Sequence, residues 1–424
     1  MTQSARSLSR MSAGIVGSEI LKIAGEIRTK IAAGESILNL TVGDFRPDLF
    51  PIPDLLRDAT AQALAAGETN YPPSDGIPEL RKAVARFYAE RLGLEYPVSG
   101  IIIASGVRPT LYCAFRTLLD PGDTLVYPVP SWNNNHYAWL TGARGVEVVA
   151  GPESHFLPTA EVLRPHLAEA RLLALNSPLN PAGTAYAESE LERIVGLVLD
   201  ENGRRESAGR PPLMVLYDQV YWMLTFGQVR HLTPVGIDPR MRAFTVFNDG
   251  ISKSFAATGL RVGWCVGPDE VMGPFSSLLG HVGAWAPRAE QRATVRLLEN
   301  GAAIDSFLRG MKEQILTRLT LLHEAFQGLK AEGFPVDSIA PESTIYLSVR
   351  INLIGKNIGG TRPQTNEDIR RLLLDRARFA AVPFQAFGLR EDSGWFRLSV
   401  GAVTPADIRT LIPDLRRLLE EARG

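Results

Sequence analysis

Apolar positions along the chain fall into two alternating patterns. Short continuous runs (Ile101–Ile103, Leu125–Tyr127, Val146–Val149, Leu172–Leu175, Met214–Tyr217 and Phe244–Phe247) have the length and content of buried strands. Between such runs apolar residues recur at helical spacing, as Leu111, Phe115, Leu118 and Leu119 do after the first run. Continuous apolar strands separated by helices predict an α/β fold with a mostly parallel sheet covered by helices. Sheets of this kind bind ligands outside the carboxyl ends of their strands. The polar motifs of this chain sit there, each directly behind an apolar run.

Near residue 300 the alternation gives way to a long helical pattern around Ile304–Gly328. The division expected from this is an N-terminal arm and helix (1–45), a large domain (46–300) and a smaller α+β domain (301–424). The N-terminal helix, Gly17–Ala33, is expected to join the small domain, which then draws on both chain termini. Glu201–Pro212 and Gly355–Asn366 read as polar surface loops. There is no internal repeat.

Composition narrows the class. Hydrophobic residues make up 45% and charged residues 21% of 424, so a large core needs no staples. A net charge of -1 gives no reason to expect nucleic acid or an anionic membrane as partner. No stretch of about 18 apolar residues occurs, and the polar Met1–Met11, with Arg6 and Arg10, lacks the apolar core of a signal peptide. It reads as a flexible arm. Cys113 and Cys265 show no metal spacing and read as reduced, packed thiols, which favours the cytoplasm. His136, His155, His166 and His231 have no ligand spacing either, so no metal is expected.

The candidate chemistry begins with Ser252-Lys253-Ser254-Phe255, followed by Gly259-Leu260-Arg261-Val262-Gly263-Trp264. A lysine can form a Schiff base with an aldehyde cofactor, and an arginine eight residues later can clamp a phosphate. The same residues could equally be a solvated pair on a glycine-containing loop. Asp218 closes the Leu213–Tyr217 run with Tyr221 three residues on. A carboxylate there could keep a pyridine nitrogen protonated, or simply cap the next helix. Asn176-Ser177-Pro178-Leu179-Asn180-Pro181-Ala182-Gly183 has ordinary turn chemistry. Ser105-Gly106-Val107-Arg108-Pro109 leads from a strand into a helix whose free N–H groups suit an anion.

Taken in order, these pieces resemble the class I/II aminotransferases, the fold-type-I, aspartate-aminotransferase-like pyridoxal-phosphate enzymes, over essentially the whole chain. Tyr71 precedes Gly76 and Leu80-Arg81; the Gly106 turn, Asp120-Pro121-Gly122-Asp123 and Pro130-Ser131-Trp132 follow. Then come Asn180-Pro181-Ala182-Gly183, Asp218 with Tyr221, Lys253 with Arg261, and Arg397-Leu398-Ser399. Ala182 stands where the family pattern has Thr or Ser.

The resemblance implies pyridoxal 5'-phosphate held covalently by Lys253, which then moves the substrate proton. It implies Asp218 on the pyridinium, Asn180 and Tyr221 on the ring hydroxyl, and Trp132 stacked on the ring. Arg261, Ser252 and the Gly106, Val107 and Arg108 backbone would bind the phosphate, joined by Tyr71 from the other subunit of a homodimer. Arg397, helped by backbone near Gly43, would hold the substrate α-carboxylate. The implied reaction passes an amino group from an L-amino acid to a 2-oxo acid.

Two residues are candidates for reading a distal acidic group, and so for making aspartate or glutamate the donor: Arg108, and His281, six residues ahead of Pro287. The alternative for each is a phosphate or surface contact and a place in the dimer interface. The same cofactor chemistry could instead serve a C–S or β/γ-elimination lyase. A non-catalytic effector-binding module is a third reading, weakened because the resemblance begins near residue 36 with no basic run before it.

Overall fold

The computed structural model describes residues 7–422. After the short β1 (Leu38–Asn39), the chain lays down β2 (Ile101–Ala104), β3 (Thr124–Val129), β4 (Arg144–Val149), β5 (Ala170–Asn176), β6 (Met214–Asp218), β7 (Thr245–Gly250) and β8 (Gly263–Val266). These last seven form one sheet in the order β2-β8-β7-β6-β5-β3-β4. β8 runs against both of its neighbours, and the pairs from β7 to β4 are parallel. The expected α/β sheet is therefore present.

Both faces are covered, which is why the strands read as continuous apolar runs. Leu172, Ala174, Leu216, Val246 and Cys265 pack on one side with Leu111, Ala114 and Phe115 of the helix Val107–Leu118. Leu173, Leu175, Val215, Tyr217, Phe247 and Trp264 face the other side with Phe87 and Leu191. At the carboxyl ends Asn176, Asp218 and Asn248 are Cα partners across β5, β6 and β7. Strand alternation turns all three toward the first face, the one covered by Val107–Leu118.

The remaining strands are β9 (Val336–Ser338), β10 (Tyr346–Ile351), β11 (Phe379–Ala380), β12 (Val382–Pro383) and β13 (Trp395–Ser399). They follow the long helix Gly301–Ala331, and four of them form the antiparallel sheet β12-β13-β10-β9. β11 pairs in parallel with β1, Leu38 opposite Phe379. The N-terminal helix Glu19–Ala32 is tied to the helix Asn366–Arg376 by Glu26 on Arg370 (2.9 Å) and Lys30 on Asp375 (3.2 Å).

Two expectations need correction. Glu201–Pro212 is not a surface loop: the helix Glu188–Ser207 runs through most of it, and Glu201, Asn202 and Arg205 are buried. Their polarity serves docking. Arg205 donates to Glu201 (2.8 Å) and to the carbonyls of Leu167 (2.8 Å) and Ala170 (2.7 Å), and Asn202 exchanges two bonds with Leu213. Gly263–Val266, for which no strand was expected, is the antiparallel strand β8. Of the expected flexible arm, Met1–Arg6 lie outside the described residues, while Arg10–Gly14 form a helical turn whose Met11 carbonyl accepts from Trp139 (2.9 Å).

Cys113 and Cys265 are free and buried, and burial pushes the Cys113 thiol up to about 12 and Cys265 well above its usual value. Both therefore stay protonated as packing groups. Among the described residues no helix is long and apolar enough to cross a membrane, and no cluster of His, Cys, Asp and Glu could hold a metal ion.

Candidate active site

Lys253 lies in the four-residue helix Ile251–Ser254, launched directly from the end of β7. Its Nζ donates to the carbonyl of Gly43 (2.5 Å) and stands 5.9 Å from the centre of the Tyr221 ring. Gly43 belongs to the chain just after β1, so the segment paired to β11 is brought against the lysine. A Cβ at Gly43 would press on the Tyr346 hydroxyl, which makes glycine the residue that fits.

The end of β6 supplies Asp218. No helix follows it; the backbone turns, and Val220 N–H donates to Asp218 Oδ1 (3.2 Å), so the helix-cap alternative does not hold. Burial raises the carboxyl to about 6, against which the Val220 bond acts. Asp218 shares a small cavity with Trp132, Leu111, Asn134 and Asn176. Asn176 holds the corner together: its Nδ2 donates to the Asp218 carbonyl (2.8 Å) and its Oδ1 accepts from Asn180 N–H (2.9 Å).

Arg397, on β13, is completely buried. Nη1 donates to Asn180 Oδ1 (2.9 Å), Nη2 donates to the Thr41 carbonyl (2.9 Å), and the guanidinium rests 4.3 Å over the Tyr346 ring. Its Nε has no partner among the described residues. Every oxygen it meets is neutral, and burial lowers its pKa. Tyr346 OH and Tyr221 OH are 2.6 Å apart, and burial, with Tyr346 adding to it, raises the Tyr221 phenol.

A second basic corner forms where β2 meets its helix. Arg261 donates to the carbonyls of Thr258 (2.7 Å) and Ser105 (2.8 Å), again neutral oxygens. Gly106 has φ 88°, and a Cβ there would overlap the Arg261 guanidinium; one at Gly263 would overlap the Gly106–Val107 backbone. The backbone thus closes around the start of the helix Val107–Leu118, where free N–H groups and the helix dipole favour an anion. Ser252 is buried nearby in sequence to Lys253. Arg108 is exposed, with its guanidinium 4.9 Å over Trp132.

The fold therefore gathers Gly43, Asn180, Tyr221, Lys253 and Arg397 into one network and sets Asp218 opposite Trp132 at the same strand ends. Tyr71 and His281 are not drawn in: Tyr71 is 83% exposed, edge-on to Trp285, and His281 is an exposed residue near the end of the helix Asp269–Val282. Sequence reasoning missed Thr41, Asn176 and Tyr346. Asn176 carried a signal, a polar residue ending an apolar strand at the start of an Asn/Pro turn. Thr41 acts through its carbonyl, which no side-chain pattern reveals.

A half-buried lysine at a strand end, a carboxylate sharing a small cavity with a tryptophan, and an arginine at a helix start suit an aldehyde cofactor bearing a phosphate and a pyridine nitrogen. These residues fit pyridoxal 5'-phosphate in charge, and Gly106 and Gly263 let Arg261 and the helix start approach each other closely enough to share its phosphate. The chain belongs to the aminotransferase class I and II family, whose pattern matches residues 35–415. It is 31% identical to an aspartate aminotransferase of Rhizobium meliloti (strain 1021) over 92% of this chain and 91% of that one. A probable aspartate/prephenate aminotransferase of Rhizobium leguminosarum bv. phaseoli is also 31% identical, over 90% and 91%. Among solved structures, the aspartate aminotransferase of Rhizobium meliloti superposes with a TM-score of 0.88 at 27% identity, covering 98% of both chains. That of Thermus thermophilus with maleate gives 0.84 at 27%, covering 97% and 99%. The protein is a pyridoxal-phosphate-dependent aminotransferase that passes an amino group from an amino acid to a 2-oxo acid.

Proposed function

We propose that the amino donor is a dicarboxylic amino acid, aspartate before glutamate. The observation that carries this is a second cation, Arg108, in addition to Arg397, a buried guanidinium bonded only to neutral oxygens that gains a counter-ion when a carboxylate arrives. One carboxylate answers Arg397. The exposed Arg108 guanidinium on Trp132 is the second cation, available to the distal carboxylate. The maleate in the Thermus thermophilus relative is a dicarboxylate, and the curated relatives cited are aspartate or aspartate/prephenate aminotransferases.

The bound cofactor supplies an electron sink for the charge left when the Cα proton departs. Lys253 would hold the cofactor, and its amine would take that proton from Cα and return it. Asp218 keeps the pyridine nitrogen protonated, and Trp132 limits water on the ring face. Asn180 and Tyr221 hold the ring oxygen, and Asn180 fixes Arg397 as well. Arg261, Ser252 and the N–H groups from Gly106 to Arg108 hold the phosphate.

The division at residues 45 and 300 belongs to the same reading, with Arg397 and Gly43 delivered by the terminal part. So does a homodimer in the cytoplasm: Tyr71, exposed on its own chain, reaches the phosphate of a second subunit, and His281 lies at that interface.

The test is kinetic. Arg108→Ala is expected to lower kcat/KM for aspartate by tenfold or more while leaving neutral amino acids within about twofold, roughly the ~1.5–3 kcal/mol of one charged hydrogen bond. Equal loss for both classes would sink the dicarboxylate reading.

A further inference from the structure

Antiparallel β10 and β13 set four polar side chains on one face of their ladder. Tyr346 lies opposite Ser399 and Ser348 lies opposite Arg397, so strand alternation turns all four the same way. Leu347, Val349, Phe396 and Leu398 take the other face and join the apolar core. All four polar residues are buried, where a hydroxyl without a partner is costly. Each finds its partner in the site. Tyr346 meets the Tyr221 hydroxyl (2.6 Å), Ser348 Oγ donates to the Ala182 carbonyl (2.8 Å), and Ser399 Oγ donates to the Val42 carbonyl (2.6 Å).

The two serine bonds fall next to the two acceptors of Arg397. Asn180 lies two residues before Ala182, in a turn that the Gly183 N–H closes on the Leu179 carbonyl (2.8 Å). The Asn180 N–H is held by Asn176, so together with Ser348 the turn is fastened on both sides of the Oδ1 that faces Arg397. Thr41 is bracketed in the same way. Ser399 N–H donates to the carbonyl before it, that of Leu40 (2.8 Å), and the Ser399 hydroxyl to the one after it, that of Val42. A guanidinium has its donors in fixed directions, so the placing of two acceptors decides where its remaining edge points.

We propose that Ser348 and Ser399 are positioning residues for Arg397. They hold Asn180 and Thr41 from the same sheet face that carries the arginine, so that the guanidinium meets the substrate carboxylate in one orientation. Both act through backbone carbonyls of the segments they hold. The inference rests on Arg397 as the carboxylate partner.

The experiment is a calorimetric titration of the cofactor-loaded protein with maleate, a dicarboxylate with no amino group to transfer. In Ser348→Ala and in Ser399→Ala the dissociation constant should rise about threefold or more, the scale of one hydrogen bond, with KM for the amino donor rising alongside and kcat within about twofold. A purely structural loss looks different: fewer folded chains lower kcat and the number of maleate sites and leave both constants unchanged. A dissociation constant within about twofold of the parent in either variant overturns the proposal. Ser348→Cys and Ser399→Cys keep the size with a weaker donor, and they read the same constants against the same limits should an alanine variant fail to fold. Failure of the carboxylate reading is distinguishable, because Arg397→Ala would then bind maleate as the parent does.

Discussion

Arg397 and Asn180 are joined by a 2.9 Å hydrogen bond although they come from different sheets, β13 and the turn after β5. On the roles proposed above, the bond would couple the group that answers the substrate carboxylate to the group that answers the cofactor ring. A shift of either would disturb the other, so substrate and ring would be positioned by one unit.

Arg397→Lys tests that unit. A lysine keeps the charge but cannot donate in two fixed directions, to Asn180 and Thr41 at once. We expect kcat/KM for the amino donor to fall by about 10²–10³, the scale of losing one preorganised charged contact. Steady-state kinetics with the visible spectrum of the loaded protein unchanged would place the loss on substrate binding; activity within threefold of the parent would refute the coupling.

Gly106→Ala addresses the phosphate corner. The residue sits at φ 88°, and the added methyl overlaps the Arg261 guanidinium, so the arginine is displaced from the Ser105 carbonyl. Cofactor affinity should weaken by at least tenfold while the far-ultraviolet dichroism is retained. Equilibrium titration with pyridoxal 5'-phosphate checks this, and unaltered affinity would remove Arg261 from the phosphate site.

Asp218 makes a prediction about stability in the cofactor-free protein. Its folded pKa, about 6, lies above the ordinary value of 3.8, so its contribution is fully present below that ordinary value and is lost as pH rises through about 6. A shift of about two units corresponds to about 3 kcal/mol, to order of magnitude. Asp218→Asn should therefore be more stable than the parent above about pH 6, with the advantage shrinking toward about pH 4. Urea denaturation of both cofactor-free proteins at several pH values decides it, and a pH-independent difference would contradict the burial argument.

Arg205 lies far from this chemistry and carries a structural prediction. Arg205→Ala leaves Glu201 buried and strips the Leu167 and Ala170 carbonyls of a donor. Removing one member of a buried pair typically costs about 3–5 kcal/mol, and Arg204, still 3.0 Å from Glu201, places this case at the low end. Chemical denaturation should show that loss with little change in KM; a cost under about 1 kcal/mol would mean water replaces the guanidinium.

These cases also show what the residue order makes legible. Buried strands with both faces covered announce themselves, and the runs at Leu172–Leu175 and Met214–Tyr217 lie within β5 and β6. β8 escaped because its glycine and the motif ahead of it look like loop, although its edge is paired on both sides. Glu201–Ser207 escaped because charge in a helix reads as solvation until its partners are known. Within the site, Lys253, Asp218, Asn180, Arg261 and Arg397 act through side chains whose chemistry is visible in one dimension. Thr41 and Gly43 contribute carbonyl oxygens, which no side-chain pattern announces.

The pairing of β1 with β11 has a consequence for how the enzyme is made. Thr41 and Gly43, which hold Arg397 and Lys253, follow a strand whose ladder among the described residues is formed with Phe379 and Ala380. On the ribosome, at about 5–20 residues per second, that early strand waits tens of seconds for its mate to emerge. The large sheet can assemble meanwhile, since its strands all lie between Ile101 and Val266. Its lysine stays without a fixed Gly43 carbonyl until Phe379 and Ala380 have emerged, so each nascent chain passes through a period in which the scaffold is built and the catalyst is not.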